Sequence, residues 1–201
     1  MSSLADREKK LLLDLARRAL ALAAQTGEPL AEQDLPASEI LSRPGGAFVT
    51  LRIRGRLRGC IGQLSSGIPL VRVVAHCARA AALEDPRFKP VRAEEVPEIT
   101  IELSVLSELE DITPSRIEPG RHGLVISRGQ NRGLLLPQVA TEFRWNAQRF
   151  LEETCVKGGL EPGAWKDSTT RVQAFTAEVF SESEARFPPG NAILPNGGVV
   201  S

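Results

Sequence analysis

The chain has 201 residues, enough for one domain with a sizeable core, and its 25 basic residues balance 25 acidic ones, which excludes a protein that attracts polyanions by bulk charge. With no tyrosine, two tryptophans and seven phenylalanines it offers few platforms for base stacking, and a nucleic-acid role is disfavoured. Three cysteines without a C-x-x-C pair exclude a disulfide framework and point to a reducing compartment.

From Ala5 to Thr26 the apolar residues Leu11, Leu12, Leu15, Ala19 and Leu22 recur at helical spacing, and Gly27 is placed to stop the helix. Charges interrupt this stretch throughout, so it reads as neither a signal peptide nor a membrane span, and a cytoplasmic protein is expected. Val49, Leu51 and Ile53 then alternate with polar residues as a half-buried strand, and Gly55-Arg56 turns into a second strand through Leu57 to Ile61. Helical spacing returns from Ile68 to Leu83 and ends before Asp85-Pro86, because a residue preceding proline disfavours the helical region.

"PEITIELSVL" is the clearest strand, with Ile99, Ile101, Leu103 and Val105 on one face. Short strands at Leu124 to Ser127 and Gly133 to Leu136 follow, then a helix from Glu142 to Lys157 and a last strand, "VQAFTAEVF". The order does not alternate as regular βαβ units. It predicts an α+β fold, a largely antiparallel or mixed sheet flanked by helices, with one domain over 5–183 and a proline- and glycine-rich tail over 184–201 that Phe187, Ile193 and Leu194 could anchor.

"GRLRGCIGQL" is the stretch that invites chemistry. Gly59 and Gly62 suit a bulge or a ligand-facing turn, and simple alternation puts Arg58 on the face of Cys60. Positive neighbours favour a thiolate, so Cys60 is either a reactive or substrate-gripping thiol or a small buried residue in a tightly packed strand. His122, in the glycine-flanked loop "PGRHGL", is either a binding residue or a structural one. Glu102, opposite the isoleucines of its strand, is either solvated or directed into a cleft. If the three converge, they supply a nucleophile, a base and an orienting carboxylate.

The competing expectation is a binding module for a small anionic ligand or a protein partner, through arginines at 52, 54, 56, 58 and 87. Pro137 should end a strand or lie at an edge, leaving Gln138 at a strand exit where it can line the same cleft. Neither metal-ligand spacing nor a dinucleotide or phosphate-loop motif is present, and the residues name no cofactor.

Six blocks in order, "LRGCIG" at 57–62, "DPRF" at 85–88, "ELSVL" at 102–106, "GRHGL" at 120–124, "GLLLPQVA" at 133–140 and "FLEETCVKGGL" at 150–160, resemble the AMME-syndrome candidate-region protein family, in its prokaryotic form as protein A of the AmmeMemoRadiSam system. The resemblance implies a soluble α/β domain with a larger and a smaller subdomain. It also implies an association with Memo-like and radical-SAM proteins, and it adds weight to Cys60.

Overall fold

A computed structural model describes residues 4–64 and 67–182; the tail expected over 184–201 lies outside them. Helix α1 spans Asp6–Thr26 and stops where Gly27, with φ 79°, returns its N–H to the Ala23 carbonyl. Strands β1 (Gly46–Ile53) and β2 (Arg56–Gln63) form a hairpin, followed by helix α2 (Leu70–Leu83) and strand β3 (Ile99–Leu106). Then come β4 (Glu110–Asp111), β5 (Gly123–Arg128), β6 (Asn131–Leu135), α3 (Pro137–Glu142), α4 (Ala147–Lys157), β7 (Arg171–Phe175) and β8 (Ala177–Ser181).

The strands make two four-stranded antiparallel sheets, ordered β2-β1-β3-β8 and β4-β7-β5-β6. The fold is therefore α+β, as expected. Helices α1 and α2 cover one face of the first sheet, where Val49, Leu51, Ile101 and Leu103 are fully buried with Leu12, Leu15 and Val74. Helix α4 covers the second sheet, joining Phe150, Leu151 and Cys155 to Leu124 and Ile126.

The predicted strand "VQAFTAEVF" serves both sheets, since Thr176 separates β7 from β8. Here the Ser107 N–H donates to the Thr176 carbonyl and the Thr176 N–H donates to Ser107 Oγ, each at 2.9 Å, so a side-chain oxygen stands in for a ladder carbonyl at the crossing. A third apolar cluster centred on Leu106, Val125 and Phe175, with Phe48 and Leu134 packed against it, joins the two sheets beside that crossing.

Two expectations shift. The helix expected over 142–157 begins only at Ala147, as α4; Glu142 ends the separate α3, Arg144 between them has a φ of 53° that cannot continue a helix, and α4 is capped by the Asn146 side chain accepting from the Arg149 N–H. Strand β6 ends at Leu135, just before Pro137, but Pro137 opens α3, where its missing N–H costs no helical hydrogen bond, so Gln138 lies in a helix and not at a strand exit.

Candidate functional site

The β1–β2 hairpin turns through Arg54 and Gly55, both left-handed with φ of 50° and 76°. That geometry matches the twist of the flanking strands. The turn fixes the register: Thr50 lies opposite Cys60 on one side and opposite Glu102 on the other, and Glu102 opposite Ser181. One row therefore crosses the first sheet as Cys60, Thr50, Glu102 and Ser181, on the face turned away from α1 and α2. The Thr50 hydroxyl lies 3.4 Å from the Cys60 sulfur, and Arg52 stands 3.9 Å from Glu102.

Strand β2 is an edge of the sheet, so the outward N–H and C=O of Cys60 need partners from elsewhere. Asp85 and Arg87 supply them. Cys60 N–H donates to Asp85 Oδ2 at 2.8 Å, and Arg87 Nη2 donates to the Cys60 carbonyl at 3.3 Å. Because these groups point outward, Thr50 and Cys60 form a non-hydrogen-bonded pair, the kind whose side chains lie closest.

The Asp85 carboxylate, only 2% exposed, also accepts from the Arg87 backbone N–H at 3.1 Å and from its guanidinium at 2.9 and 2.7 Å. The guanidinium hydrogen bond, aided by those two backbone N–H groups, holds Asp85 well below the usual carboxylate range against the opposing cost of burial. Arg87 is stabilised as a cation chiefly by its hydrogen bonds to Asp85.

The glycines flanking Cys60 are explained by packing. A Cβ on Gly59 would come within 2.1 Å of the Ala81 carbonyl of α2, and one on Gly62 within 2.1 Å of the Phe48 ring. Cys60 itself is partly exposed while Cys77 and Cys155 are buried. Burial pushes the Cys77 thiol up to about 12 and raises that of Cys155 as well.

Arg58 does not share the face of Cys60. Leu51 pairs with Gly59 but Arg52 with Leu57, so Arg58 is the extra residue of a β-bulge. Its guanidinium instead grips Glu95 at 2.9 and 3.0 Å and reaches the carbonyls of Lys89 and Pro90.

His122 lies at the entrance to β5 in the second sheet, where its Nδ1 accepts the Glu118 N–H at 3.1 Å, leaving the proton of a neutral ring on Nε2. It lines a cavity of about 350 Å³ with Ser107, Glu110, Asp111, Arg121 and Thr176. Among the described residues no hydrogen bond joins His122 to Cys60. Gln138 is exposed in the first turn of α3.

The structure thus brings Cys60 and Glu102 into one row and seats His122 and Gln138 on elements of the other half. Of this row and the residues that complete its edge, Thr50, Ser181 and Asp85 are not among the site residues expected from the sequence. Thr50 carried a signal, since it alternates with Val49 and Leu51. Asp85 carried one only as the first residue of the "DPRF" block, since its position before Pro86 otherwise marks the end of a helix. Among the described residues no group of three or more His, Cys, Asp or Glu side chains is placed to hold a metal ion, and no helix is long and apolar enough to cross a membrane.

A family model described as AMMECR1 matches residues 13–180. Protein PF1979 of Pyrococcus furiosus is 42% identical over 200 residues, covering 94% of this chain and 94% of its own length. A protein of Methanothermobacter thermautotrophicus is 42% identical over 183 residues, covering 87% of this chain and 94% of its own. The crystal structure of PH0010 from Pyrococcus horikoshii, 40% identical, superposes with a TM-score of 0.79 over 89% of this chain and 93% of that one.

Proposed function

The chain belongs to the AMMECR1 family, and on that premise we propose that it is a thiol-dependent enzyme centred on Cys60. One observation carries this reading: a partly exposed thiol in hydrogen-bond contact with the Thr50 hydroxyl, in the same row as the Glu102 carboxylate, on a residue whose backbone carbonyl accepts from the Arg87 guanidinium. The sulfur gives up its proton by way of the Thr50 hydroxyl, and the carboxylate next in the row to receive it is Glu102. The thiolate adds to a carbonyl carbon of the substrate, forming the C–S bond as the C=O π bond opens and its electron pair moves to the oxygen. His122 has no part in this step.

The family resemblance supports an association with Memo-like and radical-SAM proteins, and the unpaired cysteines support a cytoplasmic location, with residues 5–183 acting as one unit. The AMMECR1 match over residues 13–180 is consistent with that unit.

The test is the rate of Cys60 alkylation by iodoacetamide against pH. The folded chain should react faster at neutral pH than the urea-unfolded chain, and Thr50→Val should slow it by about fivefold or more, within the range of proton-transfer assistance. A folded-state rate no faster than the unfolded one, and indifferent to Thr50→Val, overturns the reading.

A further inference from the structure

The face of the second sheet turned away from α4 carries a polar row of its own. Ser127 lies opposite Arg132 on one side and opposite Arg171 on the other, so the three cross β6, β5 and β7 side by side. Their neighbours along the strands, Ile126 and Val172, point the other way into the second core. With strands about 4.8 Å apart, the two arginine backbones flank a gap of about 10 Å, and only a serine hydroxymethyl fills its floor.

The two guanidiniums differ in their engagements. Arg171 binds Asp111 through Nε at 2.7 Å and Nη2 at 3.1 Å, which leaves its other edge uncommitted. Arg132 is exposed, and among the described residues it has neither an ion pair nor a side-chain hydrogen bond. A cavity of about 540 Å³ opens here, lined by both arginines with Ser127, Gln130, Asn131 and Gln173. No carboxylate lines it. Its wall therefore combines two cations with neutral hydrogen-bonding side chains.

The geometry points to an anion-binding site in this cavity, with Arg132 and Arg171 gripping the carboxylate or phosphate oxygens of a small molecule above Ser127. Arginine forks match such oxygens in pairs, and the uncharged amides beside them supply orientation without competing for the cations. A charge on an edge strand can also serve only to prevent mispairing, and β6 is such a strand. That role would produce no saturable binding, so titration separates the two.

The full chain is titrated by calorimetry with inorganic phosphate and with succinate, each against sodium chloride of matched ionic strength. At least one anion should bind saturably, and which one identifies the oxygen chemistry. Arg132→Ala should weaken that binding about tenfold or more, corresponding to one charge-assisted contact. Arg132→Lys should weaken it less, and Arg43→Ala, a control on another exposed arginine, should leave it unchanged. Arg132 is exposed, and an unchanged unfolding midpoint confirms that its variants fold. The site is overturned if neither anion binds beyond the salt control, or if Arg132→Ala binds as the parent does.

Discussion

In the first sheet Gly59 lets β2 press against the Ala81 carbonyl of α2, and in the second Gly133 lets β6 press against the Thr154 carbonyl of α4, where a Cβ would come within 2.0 Å. Gly62 lies under Phe48 as Gly123 lies under Phe175. Each core also buries one cysteine on its covering helix, Cys77 on α2 and Cys155 on α4. The edge strands then diverge. On β2 a buried carboxylate completes the backbone beside Cys60, whereas β6 presents Arg132 with no partner among the described residues. The same packing solution thus supports two surfaces of different chemistry, one organised around a thiol and the other around a cation.

The largest expected effect tests the shared device. Gly59→Ala and Gly133→Ala should each cost about 3 kcal/mol or more, because the obstructing atom is a helix carbonyl that cannot rotate away. Denaturant unfolding measures the loss, and amide exchange should show Gly133→Ala loosening β5 and β6 more than β1 and β3. A loss below about 1 kcal/mol at Gly59 would mean that α2 shifts freely, and the likeness between the sheets would fail.

The next effect tests the difference. Asp85→Ala should cost about 2–3 kcal/mol, since it strips the Cys60 N–H and Arg87 of a charged acceptor. Because the folded-state pKa of Asp85 is depressed, its contribution is fully present above the unfolded carboxylate value of about 3.9 and is lost as pH falls towards the folded value. Asp85→Asn should therefore flatten the acid limb of stability below about pH 4. Parallel acid limbs for parent and variant would refute the assignment.

The smallest effect contrasts two ion pairs. Arg58 and Glu95 are 16% and 22% exposed, and Arg58→Ala should cost about 1–2 kcal/mol through lost charged hydrogen bonds and packing. Arg171 and Asp111 are 62% and 65% exposed, and Arg171→Ala should leave the unfolding midpoint where it was. Equal shifts in the two variants would remove this distinction between the sheets.

Elements whose burial follows a simple period were legible in advance. Helix α2 and strand β3 bury the positions that their spacing marks. The strand "VQAFTAEVF" was legible as a strand but not as two, because Phe175 and Ala177 keep the alternation across the break at Thr176. Nothing in "TEFRWNAQ" marks Arg144 as left-handed, so the sequence pattern runs a helix from 142 to 157 without a break.

Of the candidate site, the sequence by itself determined that Cys60 sits on a glycine-flanked strand and that Glu102 faces away from the core of its own strand, since both follow from local alternation. Tertiary structure alone decided that a bulge turns Arg58 towards Glu95, that Asp85, 25 residues along the chain, completes the edge at Cys60, and that His122 belongs to the other sheet. The physical reason is range. Side-chain period is set by the backbone of one strand, while register, edge completion and sheet membership depend on hydrogen bonds between segments whose separation no local pattern encodes.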